Sequence, residues 1–78
     1  MKISPSRSEL SLRIGQNISR IRHEKKEKLI NVAHGIHKSS GVVSKVDHGV
    51  YPCLSIALLI DFADYFDADI DEILLRHD

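Results

Sequence analysis

The side chains that could do chemistry in this chain are five histidines and a single cysteine, Cys53. His34 and His37 stand three residues apart and could share a helix face, with His48 and Cys53 as further candidate ligands. Tetrahedral zinc needs four convergent ligands, and the sequence has neither a Cys-x-x-Cys nor a His-Glu-x-x-His spacing. We therefore expect no metal site and no other cofactor.

Cys53 follows Pro52, where a helix start could stabilise a thiolate, but the sequence supplies no identifiable base or oxyanion site beside it. We expect Cys53 to be a small, semi-buried apolar residue instead. No phosphate-binding glycine loop and no ordered set of Ser, His and Asp accompanies it. The chain is therefore not expected to be an enzyme or to bind a small-molecule ligand.

The charges of the chain indicate a different kind of partner. Their sum is zero, yet residues 1–50 carry ten Lys and Arg against four Asp and Glu, whereas residues 51–78 carry one against seven. The first part thus has a balance of +6 and the second a balance of −6. Such a chain can present a basic face to a polyanion while its other end repels it. Two solvated faces that balance one another would give the same counts.

Length and hydropathy limit the architecture and the location. With 78 residues there is room for one domain. The N-terminal fifteen residues are polar, and the longest apolar run, 56–60, is too short to cross a bilayer. A single cysteine cannot form an intrachain disulfide. We expect a cytoplasmic protein without membrane association.

Residue spacing predicts five short helices and no strand. Residues 1–7 are predicted to be a flexible tail and residues 8–78 a single domain. The first helix has an apolar stripe at spacings of four, four and three residues: Leu10, Ile14, Ile18 and Ile21. Its opposite stripe is polar and is expected to face solvent: Arg13, Asn17, Arg20 and Glu24.

The next two helices have the spacing of a helix-turn-helix. The second helix carries four apolar residues: Leu29, Val32, Ala33 and Ile36. Gly35 inside it should cost about 1 kcal/mol relative to Ala. Ser39 is a predicted N-cap of the third helix, Val43 and Val46 are its buried face, and Gly49 is its C-terminal stop.

Two further helices close the chain. Pro52 is predicted to open the fourth, at about residues 54–66, which is apolar nearly all round and should run through the middle of the fold. Asp69 and Glu72 have the spacing of a capping box at the start of the fifth.

In its helix spacing and in several short segments, the chain resembles the Cro/Xre-type helix-turn-helix domains of phage and bacterial transcriptional repressors. The resemblance covers about residues 12–75 and rests on four segments: IGQNISRIRHEK (14–25), VAHGI (32–36), SKVDHG (44–49) and LLIDFADYFDADIDEILL (58–75). It implies an all-α, compact five-helix fold of the lambda-repressor-like kind. It also implies a sequence-specific DNA-binding regulator, repressor-like, whose third helix, about residues 40–48, lies in the major groove of double-stranded DNA.

The resemblance assigns roles to individual positions. Five residues would read bases: Ser40, Gly41, Val42, Ser44 and Lys45. Four residues would contact phosphates: Lys28, Ser39, His48 and Tyr51. Arg22 and Asp47 fall where the family often has an ion pair between the first helix and the end of the recognition helix, and we predict that pair here. The family's closing helices often join two subunits, which implies a homodimer with contacts at Tyr65 and Leu75.

Several positions depart from the family pattern. Leu29 replaces a common Gln and cannot bond a phosphate. His37 stands at a turn position usually held by Gly and must accept a left-handed conformation. Gly41 and Val42 have no hydrogen-bonding reach, although Val42 could touch a thymine methyl group, whereas Lys45 could donate to guanine. A second interpretation therefore stays open, namely a protein-interaction or antitoxin-like accessory module that retains the scaffold with weakened DNA readout.

Overall fold

Five α-helices follow one another in the computed structural model, which describes the backbone of residues 7–76 and the side chains of residues 9–76. They are α1 (Arg7–Glu24), α2 (Leu29–Gly35), α3 (Ser40–Asp47), α4 (Ile56–Phe66) and α5 (Ile70–Leu74). No strand occurs in this part of the chain. The all-α, five-helix architecture predicted from the sequence is therefore confirmed. The predicted tail lies outside the described residues except for Arg7, which already belongs to α1.

All five helices contribute to one apolar core, and α1 runs beside three of them, α3, α4 and α5. Phe62 and Phe66 of α4 are fully buried, and their rings stack with centroids 6.3 Å apart. Around them lie apolar side chains from every other helix and from the turn after α2: Ile14, Ile18, Ile21, Val32, Ala33, Ile36, Val43, Val46 and Ile73. The expected apolar face of α1 is thus buried, except that Leu10 near its start stays at the surface.

Asn17 corrects the predicted solvent face of α1, because it is buried rather than exposed. Its side-chain nitrogen donates hydrogen bonds to the carbonyl oxygens of Ile73 at 2.8 Å and Arg76 at 2.6 Å. Carbonyls at a helix C-terminus lack intrahelical donors, and an amide from a neighbouring helix satisfies them here. Asn17 therefore fixes the end of α5 to the middle of α1.

The start and the environment of α4 differ from the prediction. Ser55 is the N-cap, and its hydroxyl oxygen accepts a hydrogen bond from the Leu58 backbone nitrogen at 3.1 Å. The helix consequently begins at Ile56, and Pro52 lies in the preceding loop. Ile56 and Ile60 are 64% and 45% exposed, so the expectation that α4 is buried nearly all round was wrong.

The predicted capping box at α5 is also absent. Asp69 does occupy the N-cap position, but its side chain makes no capping hydrogen bond. The backbone carries the first turn instead, through a 3.0 Å bond from the Glu72 nitrogen to the Asp69 carbonyl oxygen.

Four of the helices are followed by a residue in the left-handed conformation. These residues are Lys26, His37, Gly49 and Asp67, with φ between 52° and 76°. A glycine adopts this conformation without a Cβ penalty, whereas Lys, His and Asp accept some strain to do so. Only the end of α3 therefore carries the glycine that marks such a stop in a sequence.

Candidate nucleic-acid interface

The turn between α2 and α3 is closed by two backbone hydrogen bonds. His37 adopts a φ of 61°, as its position predicted, and its nitrogen donates to the His34 carbonyl oxygen at 3.3 Å. The Lys38 nitrogen donates to the Ala33 carbonyl oxygen at 2.9 Å. These two bonds end α2 and turn the chain sharply at His37, so that α3 can begin at Ser40.

Ser39 caps α3 as predicted. It has extended backbone angles, and its hydroxyl oxygen accepts a hydrogen bond from the Val42 nitrogen at 3.2 Å. The cap satisfies a free donor at the helix start and fixes where α3 begins. Helix α2, a short turn and α3 thus follow one another with the spacing predicted for a helix-turn-helix.

The back of α3 is fixed by burial and by the predicted ion pair. Val43 and Val46 are buried in the core. Arg22 of α1 donates to both carboxylate oxygens of Asp47, from Nε at 3.2 Å and from Nη2 at 3.1 Å. Its Nη1 also donates to the Glu27 carbonyl oxygen at 3.1 Å. Both side chains of the pair are about nine-tenths buried, so the pair links the end of α3 rigidly to α1.

Gly15 sets how closely α1 approaches the end of α3. A Cβ atom at this position would lie 2.5 Å from the Val46 carbonyl oxygen and 2.9 Å from the Gly49 nitrogen. Both are backbone atoms, which cannot rotate away as a side chain can. In the sequence, the only sign of this role is an isolated glycine inside a helical pattern.

The front of α3 faces outward because its apolar positions face the core. Ser40, Gly41 and Lys45 are exposed, whereas Val42 and Ser44 are half-buried. Val42 packs against the core, so only part of its side chain could meet a thymine methyl group. Of the five predicted base-reading residues, Lys45 alone combines exposure with a long hydrogen-bond donor.

The four predicted phosphate contacts lie around α3 but differ in exposure. Lys28 is the N-cap residue of α2 and is exposed, as are Ser39 and His48. Tyr51 is half-buried and packs against the core, so its ring has a structural role. Leu29 also packs against the core, which accounts for an apolar residue where the family commonly has Gln.

His48 is oriented by its own helix. Its Nδ1 lies 2.7 Å from the Ser44 carbonyl oxygen, which can only accept, so Nδ1 carries the proton. This bond orients the ring and leaves Nε2 as the nitrogen available for an outside contact.

Five exposed lysines lie on or near α2 and α3: Lys25, Lys26, Lys28, Lys38 and Lys45. Two arginines are engaged elsewhere. Arg20 pairs with Glu24 at 3.4 Å, and Arg22 pairs with Asp47. The charge available to a polyanion is therefore carried mainly by lysine.

Tyr65, predicted at a subunit interface, is used within the chain. Its ring packs against Gly35, where a Cβ atom would collide with it, and meets the Phe66 ring edge-on at 5.3 Å. The contact explains why α2 tolerates a glycine near its end. Partial burial raises the pKa of Tyr65, and the Glu27 carboxylate beside it, which accepts its hydroxyl hydrogen bond, raises that pKa further. Leu75 is exposed, as a contact residue would be.

Other chemistry has little support among the residues that the structure describes. Across 7–76, no three His, Cys, Asp or Glu side chains come close enough to hold a metal ion. Cys53 is a free thiol and is exposed rather than semi-buried as predicted. Within the same range, no helix has the length and hydropathy needed to cross a membrane.

Comparison of the chain with models of protein families, with curated proteins and with solved structures found no match. Its role is therefore inferred from its own residues and geometry.

Proposed function

We propose that this protein is a small cytoplasmic DNA-binding regulator, repressor-like, that inserts α3 into the major groove of duplex DNA as a homodimer. The observation that carries the proposal is the contrast at α3. Its back is held by buried valines and a bidentate ion pair, while its front is open to solvent. A helix held at both ends with a free outer face is what groove insertion requires.

Phosphate contacts supply most of the affinity in this proposal. The five exposed lysines lie at the end of α1, at the N-cap of α2, in the turn and on α3. Each phosphate neutralised by such a side chain releases counterions, which makes binding strongly dependent on salt. Direct readout is narrow and centres on Lys45, since its neighbours are short or half-buried.

A second candidate function is a protein-interaction or antitoxin-like accessory module. The observation in its favour is the number of exposed apolar side chains away from α3, among them Val50, Ile56 and Ile60. The −6 balance of residues 51–78 would suit a basic protein partner. This function needs no sequence readout, so a sparse front on α3 would carry no penalty.

Selection of bound sites from a random duplex library separates the two functions. The regulator should enrich a defined site and bind it at least about a hundredfold more tightly than random duplex, as measured by fluorescence anisotropy at moderate salt. Binding that is salt-sensitive but without enrichment would reduce the protein to a non-specific DNA binder. No detectable binding at low salt would eliminate the regulator in favour of the accessory module.

A further inference from the structure

The front of α3 has a gap at Gly41. A Cβ atom at this position would have one neighbour, the Ser39 hydroxyl oxygen at 3.8 Å. Gly41 is exposed, so the gap opens to solvent and not to another helix. Lys45 is also exposed and lies one turn further along the same side of α3, because residues four apart in a helix are neighbours on its surface. The front of α3 therefore presents a depression followed by a long cationic side chain.

Val42 places apolar atoms next to this gap. It is half-buried and packs against the core, so its position is fixed while part of its side chain stays accessible. Its backbone nitrogen is held by the Ser39 hydroxyl oxygen at 3.2 Å, which fixes the first turn of α3 as well. Neither Gly41 nor Val42 has a side-chain donor or acceptor. This part of the front is therefore shaped for a small apolar group.

The major groove of DNA offers one apolar group of this size, the C5 methyl group of thymine. Guanine offers two acceptors there, N7 and O6, to which a lysine ammonium group donates. Val42 and Lys45 are three residues apart and are therefore separated by about 4.5 Å along the axis of α3. Successive base pairs are separated by about 3.4 Å. The two contacts would thus fall on base pairs that are close together.

We propose that the gap at Gly41, together with the accessible part of Val42, receives the methyl group of a thymine. The DNA site would then contain this thymine within about two base pairs of the guanine that Lys45 contacts. Gly41 determines specificity through the space that it leaves. The inference deepens the proposed function by naming base content of the DNA site, and it rests on that function.

Cytosine fits the gap less well than thymine. It has hydrogen in place of the C5 methyl group, so the apolar surface of Val42 would lose its contact. It also presents its N4 amino donor to the major groove, and neither Gly41 nor Val42 has a side-chain acceptor for it. A donor that loses its water without gaining an acceptor weakens binding. The methyl group is thus the feature by which this part of α3 would select thymine.

Replacement of single thymines by deoxyuridine tests the contact, since it removes only the methyl group and keeps the base pairing. The duplex is the site selected from a random library, and fluorescence anisotropy gives the Kd. We expect one replacement, close to the guanine identified with Lys45→Ala, to weaken binding about three- to fourfold, the effect of exposing one buried methyl group. Replacement of thymines elsewhere in the duplex is the control and should leave the Kd unchanged.

Gly41→Ala fills the gap and should bind the thymine and deoxyuridine duplexes equally. Val42→Ala is a second variant with the same expected result, and circular dichroism checks the fold of both. His34→Ala is the control, since His34 is exposed on α2 and has no assigned contact, and it should keep the full difference between the duplexes.

Two results would overturn the inference while leaving the regulator in place. One is a selected site in which no thymine responds to deoxyuridine, and the other is a full response that persists in both Gly41→Ala and Val42→Ala. A library selection that enriches no site would instead overturn the proposed function, and the thymine contact with it.

Discussion

The two sides of α3 differ in how strictly they are built. On the back, Val43 and Val46 are buried, and Asp47 makes two hydrogen bonds to Arg22. On the front, Gly41 has no side chain and Lys45 extends into solvent. The difference indicates that many contacts specify the position of this helix, whereas under the proposed function very few side chains would select the DNA sequence. If α3 reads DNA as proposed, the protein should lose its fold and its specificity through different substitutions.

Gly15 and Gly41 differ in the same way, since one faces packed backbone and the other faces open space. Gly15 packs against backbone atoms of α3, where no larger residue fits, whereas a Cβ at Gly41 would have one neighbour, the Ser39 hydroxyl oxygen at 3.8 Å. One glycine permits close packing, and the other leaves the outer face of α3 open.

The largest expected effect comes from breaking the ion pair on the back of α3. Asp47→Ala should lower the free energy of unfolding by about 3 kcal/mol, because Arg22 stays buried with its charge uncompensated. The matched control is Glu24→Ala, which breaks an ion pair whose carboxylate side chain is 60% exposed and should cost less than about 0.5 kcal/mol. Urea denaturation measures both. Equal losses would show that the back of α3 is not specially fixed.

The next largest effect is on stability, and it should have opposite signs for alanine substitutions at Gly15 and Gly41. Gly15→Ala should destabilise the protein by about 2 kcal/mol, since α1 and α3 must move apart. Gly41→Ala should stabilise it by about 0.5 kcal/mol, because alanine favours the helix and meets no obstacle. Thermal unfolding of the two variants tests the contrast directly. Destabilisation by both substitutions would contradict it.

A substitution on the front of α3 should change the affinity for DNA and leave the free energy of unfolding unchanged. Lys45→Ala should weaken binding to the selected site by about 1–3 kcal/mol at one base position, with unfolding unchanged. Lys28→Ala is the control, since it should weaken selected and random duplexes alike by removing a phosphate contact. Anisotropy titrations of both variants on both duplexes measure this. A uniform loss for Lys45→Ala would remove its assigned role in base reading.

The smallest expected effect concerns the contact between Tyr65 and Glu27. The pKa of Tyr65 is raised above its ordinary value of 10.0 by burial and by Glu27. Folding therefore favours the protonated phenol, and the resulting stability is present below pH 10.0 and lost as pH rises through the raised pKa. Ultraviolet titration in a Tyr51→Phe background follows Tyr65 alone. Glu27→Gln should lower the pKa of Tyr65, and an identical titration curve would refute the contact.

Local signals in the sequence predicted much of the scaffold. The helical spacing gave the five helices, and Ser39 and Gly49 marked the start and the end of α3 correctly, because caps depend on neighbouring residues. The positions of Arg22 and Asp47 followed from the family resemblance. Helices and caps are determined by residues close to them in sequence, and the ion pair belongs to one recurring motif.

Other features depend on parts of the chain that meet only after folding. Asn17 has the pattern of a solvent-facing residue, yet its partners are 56 and 59 residues away. The helix ends at Lys26 and Asp67 carry no glycine to mark them. Ile56 and Ile60 are apolar like the core residues of α4, yet both are exposed. Hydropathy alone does not show which apolar side chains the fold buries and which stay at the surface.

In the proposed function, phosphate contacts by the lysines dominate DNA binding, and the salt dependence of binding tests this most directly. The measurement is the affinity for random duplex over a range of salt concentrations. If about four phosphates are neutralised per subunit, log K against log salt should have a slope of roughly −3.6 per subunit and roughly −7.2 for a dimer. A slope near zero, or no binding at the lowest salt, would contradict the account.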